Sequence, residues 1–170
     1  MTIPDVQASA DARRVAIDRV GVKDVVYPIR LRTRDGGEQT AVATINMYVS
    51  LPHHQKGTHM SRFLEVLNEQ VLGGTPCQAL TPEHIGSVTQ AIRERLNAEE
   101  AHFEATFTYF IEKHAPVTGS AGLMNYEVAL ECTATGPGNA GPGKGGDGGD
   151  TAEDMILRVA APATSLCPCS

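Results

Sequence analysis

The sequence predicts an α+β fold, an antiparallel sheet with two helices packed on one of its faces. Three observations carry this. Two stretches, 40–51 and 103–111, alternate apolar and polar residues with a period of two, as half-buried strands do. Between them lie two segments whose apolar residues recur at helical spacing. The elements come in the order strand, strand, helix, helix, strand, strand, and strands grouped around paired helices favour an antiparallel sheet over alternating βαβ units.

The first strand is expected from Val20 to Arg32, rich in Val, Ile and Tyr, with Pro28 placing it at an edge or a bend. "RDGGEQ" (34–39) reads as a turn, because its glycines accept positive φ. In "TAVATINMYVSL" (40–51) Ala41, Ala43, Ile45, Met47, Val49 and Leu51 share one face, so the two strands are expected to form a hairpin. Met60, Phe63, Leu64, Leu67 and Val71 then mark a first helix, with Thr58 or Ser61 available as its N-cap and "LGGTP" as its end. Thr81, Pro82 and Glu83 suit the cap, first position and positive dipole end of a second helix, whose stripe is Ile85, Val88, Ile92 and Leu96. Phe103, Ala105, Phe107, Tyr109 and Ile111 form the apolar face of a third strand, and Met124, Tyr126, Val128 and Leu130 that of a fourth. The glycine-dense stretch "GPGNAGPGKGGDGGD" (136–150) is expected to be a flexible loop. "DMILRVAAPATS" (154–165) resumes as a strand and leads into "SLCPCS". The chain therefore divides into a module over 1–135, the loop at 136–150, and a strand with its terminal motif over 151–170.

Composition narrows the function. A net charge of −6 and aromatics at 5% argue against a nucleic-acid surface, which needs a basic patch and stacking rings. No apolar run approaches the length of a membrane span, and "MTIPDVQASADARR" lacks the apolar core of a secretory signal, so a cytoplasmic protein with reduced thiols is expected. "GNAGPGKG" (138–145) approaches a phosphate-binding loop, but Gly145 stands where that motif needs Ser or Thr, and glycine continues where a helix must start.

In "KGTHMSR" (56–62), Lys56, His59 and Arg62 surround a helix start that also carries Thr58 and Ser61. Cations and free backbone N–H groups there can hold an anion; a capped helix with solvated charges explains the same residues. His53 and His54, as neighbours in an extended segment, are expected to point apart. His84, His102 and His114 show no ligand spacing and read as surface or structural residues. Cys77 and Cys132 read as small buried hydrophobes. Cys167 and Cys169 form C-x-C, which is neither a zinc knuckle nor a redox pair, and two thiolates cannot complete a tetrahedral site.

Five stretches, "IPDVQ" (3–7), "VGVK" (20–23), "LPHHQKGTHMSRFLEVLN" (51–68), "GLMNYEV" (122–128) and "SLCPCS" (165–170), together resemble the type IB GTP cyclohydrolase I family, with "KGTHMSRF" and "LCPCS" the most specific of them. The resemblance implies the tunnelling fold, in which ββααββ units join into oligomeric barrels, with a homotetramer as the family's assembly. It implies conversion of GTP to 7,8-dihydroneopterin triphosphate and formate, the first step toward folate. It also implies one divalent metal ion (zinc, iron or manganese) that activates the water attacking C8 of guanine. The family's catalytic cysteine falls on Cys167, as a thiolate metal ligand; Cys169 and Ser170 match the motif without an assigned role. Lys56, His59, Ser61 and Arg62 become candidates for the triphosphate. Family members continue past this motif through a "GAHNQR"-like segment, with a histidine and a carboxylate as further metal ligands and an acidic residue that anchors guanine. The 170 residues are therefore expected to be a fragment, inactive alone. The competing expectation is a non-catalytic tunnelling-fold module that binds a purine, a pterin or a partner subunit.

Overall fold

Each strand in this chain hands directly to its neighbour, so the sheet order is the chain order. In the computed structural model, which describes residues 15–72, 79–136 and 152–163, five strands run antiparallel as β1 (Ile17–Arg32), β2 (Glu38–Leu51), β3 (Glu100–His114), β4 (Ala121–Thr135) and β5 (Ala152–Ala160). Helices α1 (Met60–Leu67) and α2 (Pro82–Arg95) lie between β2 and β3 in sequence. The α+β expectation holds. The described sheet is open, with β1 and β5 at its edges.

The hairpin β1–β2 turns through Thr33–Gly37, where the Thr33 N–H donates to the Gly37 carbonyl at 2.9 Å and Gly36 takes φ 85°. Asp24, at φ 56°, lies in the register shift between Val22 and Val25, and its N–H donates to Asn46 Oδ1 at 2.8 Å. The extra twist of such a bulge bends an edge strand away from further pairing. The two hairpins β1–β2 and β3–β4 are joined by the ladder from Ala43↔Phe107 to Val49↔Ala101.

One face of this ladder is the core. Ile45, Met47, Phe103, Ala105 and Cys132 are buried there beneath Phe63, Leu67, Ile85, Val88 and Ile92 of the helices. Burying side chains of this size stabilises by about 1.5–3 kcal/mol each. The second helix begins as expected: Thr81 is its N-cap, its hydroxyl accepts from the His84 N–H at 3.3 Å, and Pro82 and Glu83 fill the first turn.

The first helix departs from expectation. Its cap is His59 rather than Thr58 or Ser61, and no side chain caps it. The buried stripe is Phe63, Val66, Leu67 and Val71, while Met60 and Leu64 are each 41% exposed. The helix widens into a π turn over Asn68–Leu72, which rotates the later positions relative to a regular helix. The "LGGTP" end falls largely on 73–78, outside the described residues. Ile111, expected in the core, is 39% exposed. It lies beyond the last β2–β3 pair, on an arm of β3 and β4 that only these two strands share. No described helix is long and apolar enough to cross a membrane.

His102 is the buried polar group on the sheet face opposite the helices. Its Nδ1 lies 3.0 Å from Thr133 Oγ1 and its Nε2 3.3 Å from Glu100 Oε1. Burial, aided by Arg19, holds its pKa below the ordinary histidine value, while Glu100 and Glu104 pull the other way. A depressed pKa means the unfolded chain binds the proton more readily. Stability is therefore present above the ordinary histidine pKa and is lost as pH falls through it.

Two predictions follow from these contacts. Gly21 sits against β2 so closely that a Cβ would run into the Met47 carbonyl; Gly21→Ala should lower unfolding free energy by about 1–3 kcal/mol in urea titration. Thermal unfolding followed between neutral and mildly acidic pH should show a falling Tm, and His102→Gln should flatten that dependence. An unchanged slope in the variant would remove His102 as its source.

Candidate functional site

The two segments that carry the candidate chemistry leave the sheet at opposite ends. β2 ends at Leu51, paired with Ile17, and the chain turns through His53 and His54, where the Gln55 N–H donates to the Pro52 carbonyl at 3.0 Å. This turn overturns the expectation that the two histidines point apart. Their rings pack edge to face, 5.5 Å between centroids, because the segment is bent rather than extended. Lys56 follows, exposed, and then His59 as the extended N-cap at φ −84°, ψ 102°. The His59 carbonyl accepts from the Arg62 N–H at 3.2 Å; Ser61 is exposed and Arg62 half-buried. Lys56, His59, Ser61 and Arg62 thus lie along the turn that leads into α1 and its first residues. No side chain caps this helix start, and N–H groups there that lack an intrahelical partner can meet an anion oxygen.

β5 runs the other way. It starts at Ala152 opposite Thr135 and ends at Ala160 opposite Glu127, which itself faces Thr108. From the level of Leu51 to that of Ala160 is on the order of 30 Å along the strands, by the rise per residue. The strand heads toward the end of the sheet where the β1–β2 turn and the β3–β4 arm part. A cleft of about 1050 Å³ opens there, lined by Arg34, Asp35, Gln39, Tyr109, Phe110 and Leu123 among others. Gln39 Oε1 accepts from the Phe110 N–H at 3.2 Å across it. Periodicity could not reveal this cleft, since it arises where the β2–β3 ladder stops. Cys167, Cys169, Ser170, Cys77 and most of the glycine-dense loop lie outside the described residues.

Among the described residues no three His, Cys, Asp or Glu side chains gather as a metal needs. The described part of the chain does not by itself fit a catalytic metal. Cys132 is 1% exposed, as expected of a small core residue; burial pushes its thiol pKa up, so it is no nucleophile at neutral pH. His84 is buried at the start of α2 with Nε2 3.0 Å from the Gln70 carbonyl, tying the π turn to the second helix.

The chain was compared with known proteins. The model of a family described as "Type I GTP cyclohydrolase folE2" matches residues 3–170. A "GTP cyclohydrolase FolE2" of Magnetococcus marinus is 44% identical over 170 residues, covering 100% of this chain and 57% of the relative. One of Methylobacillus flagellatus is 44% identical over 168 residues, covering 99% and 56%. One of Nitrosococcus oceani is 43% identical over 168 residues, covering 99% and 55%. The chain thus spans little more than half the length of the curated relatives it matches.

Proposed function

Because the chain belongs to the type I GTP cyclohydrolase folE2 family, we propose that it serves as a GTP cyclohydrolase I of type IB. The reaction is conversion of GTP to 7,8-dihydroneopterin triphosphate and formate, the first step of folate biosynthesis, in the cytoplasm and within a homotetramer. The family match across 3–170 is the observation that carries this reading.

In this reading Cys167 is the catalytic thiolate and holds a divalent metal, zinc, iron or manganese, whose chemistry would be to make hydroxide available near neutral pH. One thiolate is not a complete ligand set, and by the family resemblance a histidine and a carboxylate that follow the motif in longer members complete it. Lys56, His59, Ser61 and Arg62 bind the triphosphate. Support for their role is physical: an uncapped helix start flanked by an exposed lysine and a half-buried arginine suits phosphate oxygens. The topological separation of α1 from the end of β5 supports a site shared between sheets rather than held by one.

The test follows formate release and pterin fluorescence after GTP is added with each metal in turn. Protein isolated from its source should form both products, and the 170-residue chain by itself neither. Cys167→Ala in the active protein should abolish turnover and lower bound metal. Arg62→Ala and Lys56→Ala should each raise KM for GTP about tenfold with a smaller effect on kcat, as loss of a charge-assisted hydrogen bond does. Full activity in Cys167→Ala would overturn the role of that thiolate. Unchanged KM in both cation variants would move the triphosphate elsewhere.

A further inference from the structure

β1 changes its alternation partway along, and the change serves the first helix. Val20 and Val22 pair with Val49 and Met47, and after the register shift Val25, Tyr27 and Ile29 pair with Ile45, Ala43 and Ala41. All of these β2 partners belong to the helix-facing core or pack against it. From Val22 to Val25 the first strand advances three positions while β2 advances two, from Met47 to Ile45. Without that extra residue, alternation would keep even positions on the helix face and send position 27 to the other side. Asp24 takes up the extra residue at φ 56°. Asn46 holds it there: its Oδ1 accepts from the Asp24 N–H at 2.8 Å, and its Nδ2 donates to Glu104 Oε2 at 3.0 Å.

The shift puts Tyr27 where it can reach α1. Its ring packs against the core, and its hydroxyl donates to Asn68 Oδ1 at 2.6 Å. Asn68 is the C-cap of α1 and the first residue of the π turn. From the other side, His84 Nε2 donates to the Gln70 carbonyl at 3.0 Å. The π turn is therefore held by β1 and by α2. It needs such ties, because its wider ring interrupts the regular helical ladder. The body of α1 is held by burial of Phe63, Val66 and Leu67. Apolar burial has no direction of its own, so it leaves the rotation of a short helix loosely set. A directional hydrogen bond at the last turn sets it, and over eight residues a rotation at one end is a rotation at the other.

We propose that Tyr27 is a positioning residue for phosphate binding. Through Asn68 it fixes the rotation of α1, and with it the direction in which Arg62 and the N–H groups of the first turn meet the anion. This inference rests on the reading that the start of α1 takes the triphosphate of GTP. Tyr27 acts through the helix, since its hydroxyl is bonded at the end opposite Met60.

The test is steady-state turnover of GTP by the active protein, followed by pterin fluorescence. Tyr27→Phe keeps the ring and removes only the donor; Asn68→Leu removes only the acceptor. Each should raise KM about threefold with a smaller change in kcat, as loss of one neutral hydrogen bond does. The two together should cost no more than the larger single effect, because they break the same bond. Asn68→Asp keeps an acceptor oxygen and should stay near the native KM. A native KM in Tyr27→Phe, an Asn68→Asp as impaired as Asn68→Leu, or single effects that multiply in the double variant would each overturn the proposal. Arg62→Ala separates this inference from the reading beneath it. If Arg62→Ala raises KM and Tyr27→Phe does not, only the positioning role falls. If neither raises it, the triphosphate is held elsewhere and both fall.

Discussion

The ladder between β2 and β3 is the constraint on which the rest depends. It is the long-range pairing that joins two local hairpins, and the two helices between its strands must span its length and return. Its inward side chains, from Ala43 and Ile45 on β2 to Phe103 and Ala105 on β3, belong to the same buried core as the helices, with α2 lying on β3 and β4 and α1 against α2 and β1. Loop-closure entropy opposes such a pairing, and only burial of the shared apolar face offsets it. Once formed, it fixes which end of the sheet each later segment leaves from.

That placement bears on chemistry. α1 starts beyond the Leu51 end of the sheet, while β5 runs toward the end where the hairpins part. The segment that carries Lys56, His59, Ser61 and Arg62 and the Ala160 end of β5 therefore lie at different ends of the described sheet.

Much of this was legible in the residues. Alternation marked β2 and β3 because their faces differ sharply in burial, and Thr81-Pro82-Glu83 marked the start of α2 because capping is local chemistry. The first helix is less legible: an 8-residue helix running into a π turn does not hold a regular stripe, so helical spacing counts the exposed Met60 and Leu64 in the stripe and passes over the buried Val66. Ile111 alternates correctly yet lies past the end of the ladder, and no local pattern records where a distant strand stops. The edge-to-face packing of His53 and His54 depends on a turn, which period-two reasoning does not see. For the site, the motif around Lys56–Arg62 is visible in the sequence, while its distance from the Ala160 end of β5 is a property of register alone.

Native-state hydrogen exchange of the dilute chain tests the central role of the β2–β3 ladder most directly. Ladder-bonded amides within 43–49 and 101–107 should exchange last and together, more slowly than those of the β3–β4 arm and of β5. Exchange in which the two hairpins open independently, with the β2–β3 amides no slower than the arm, would contradict it.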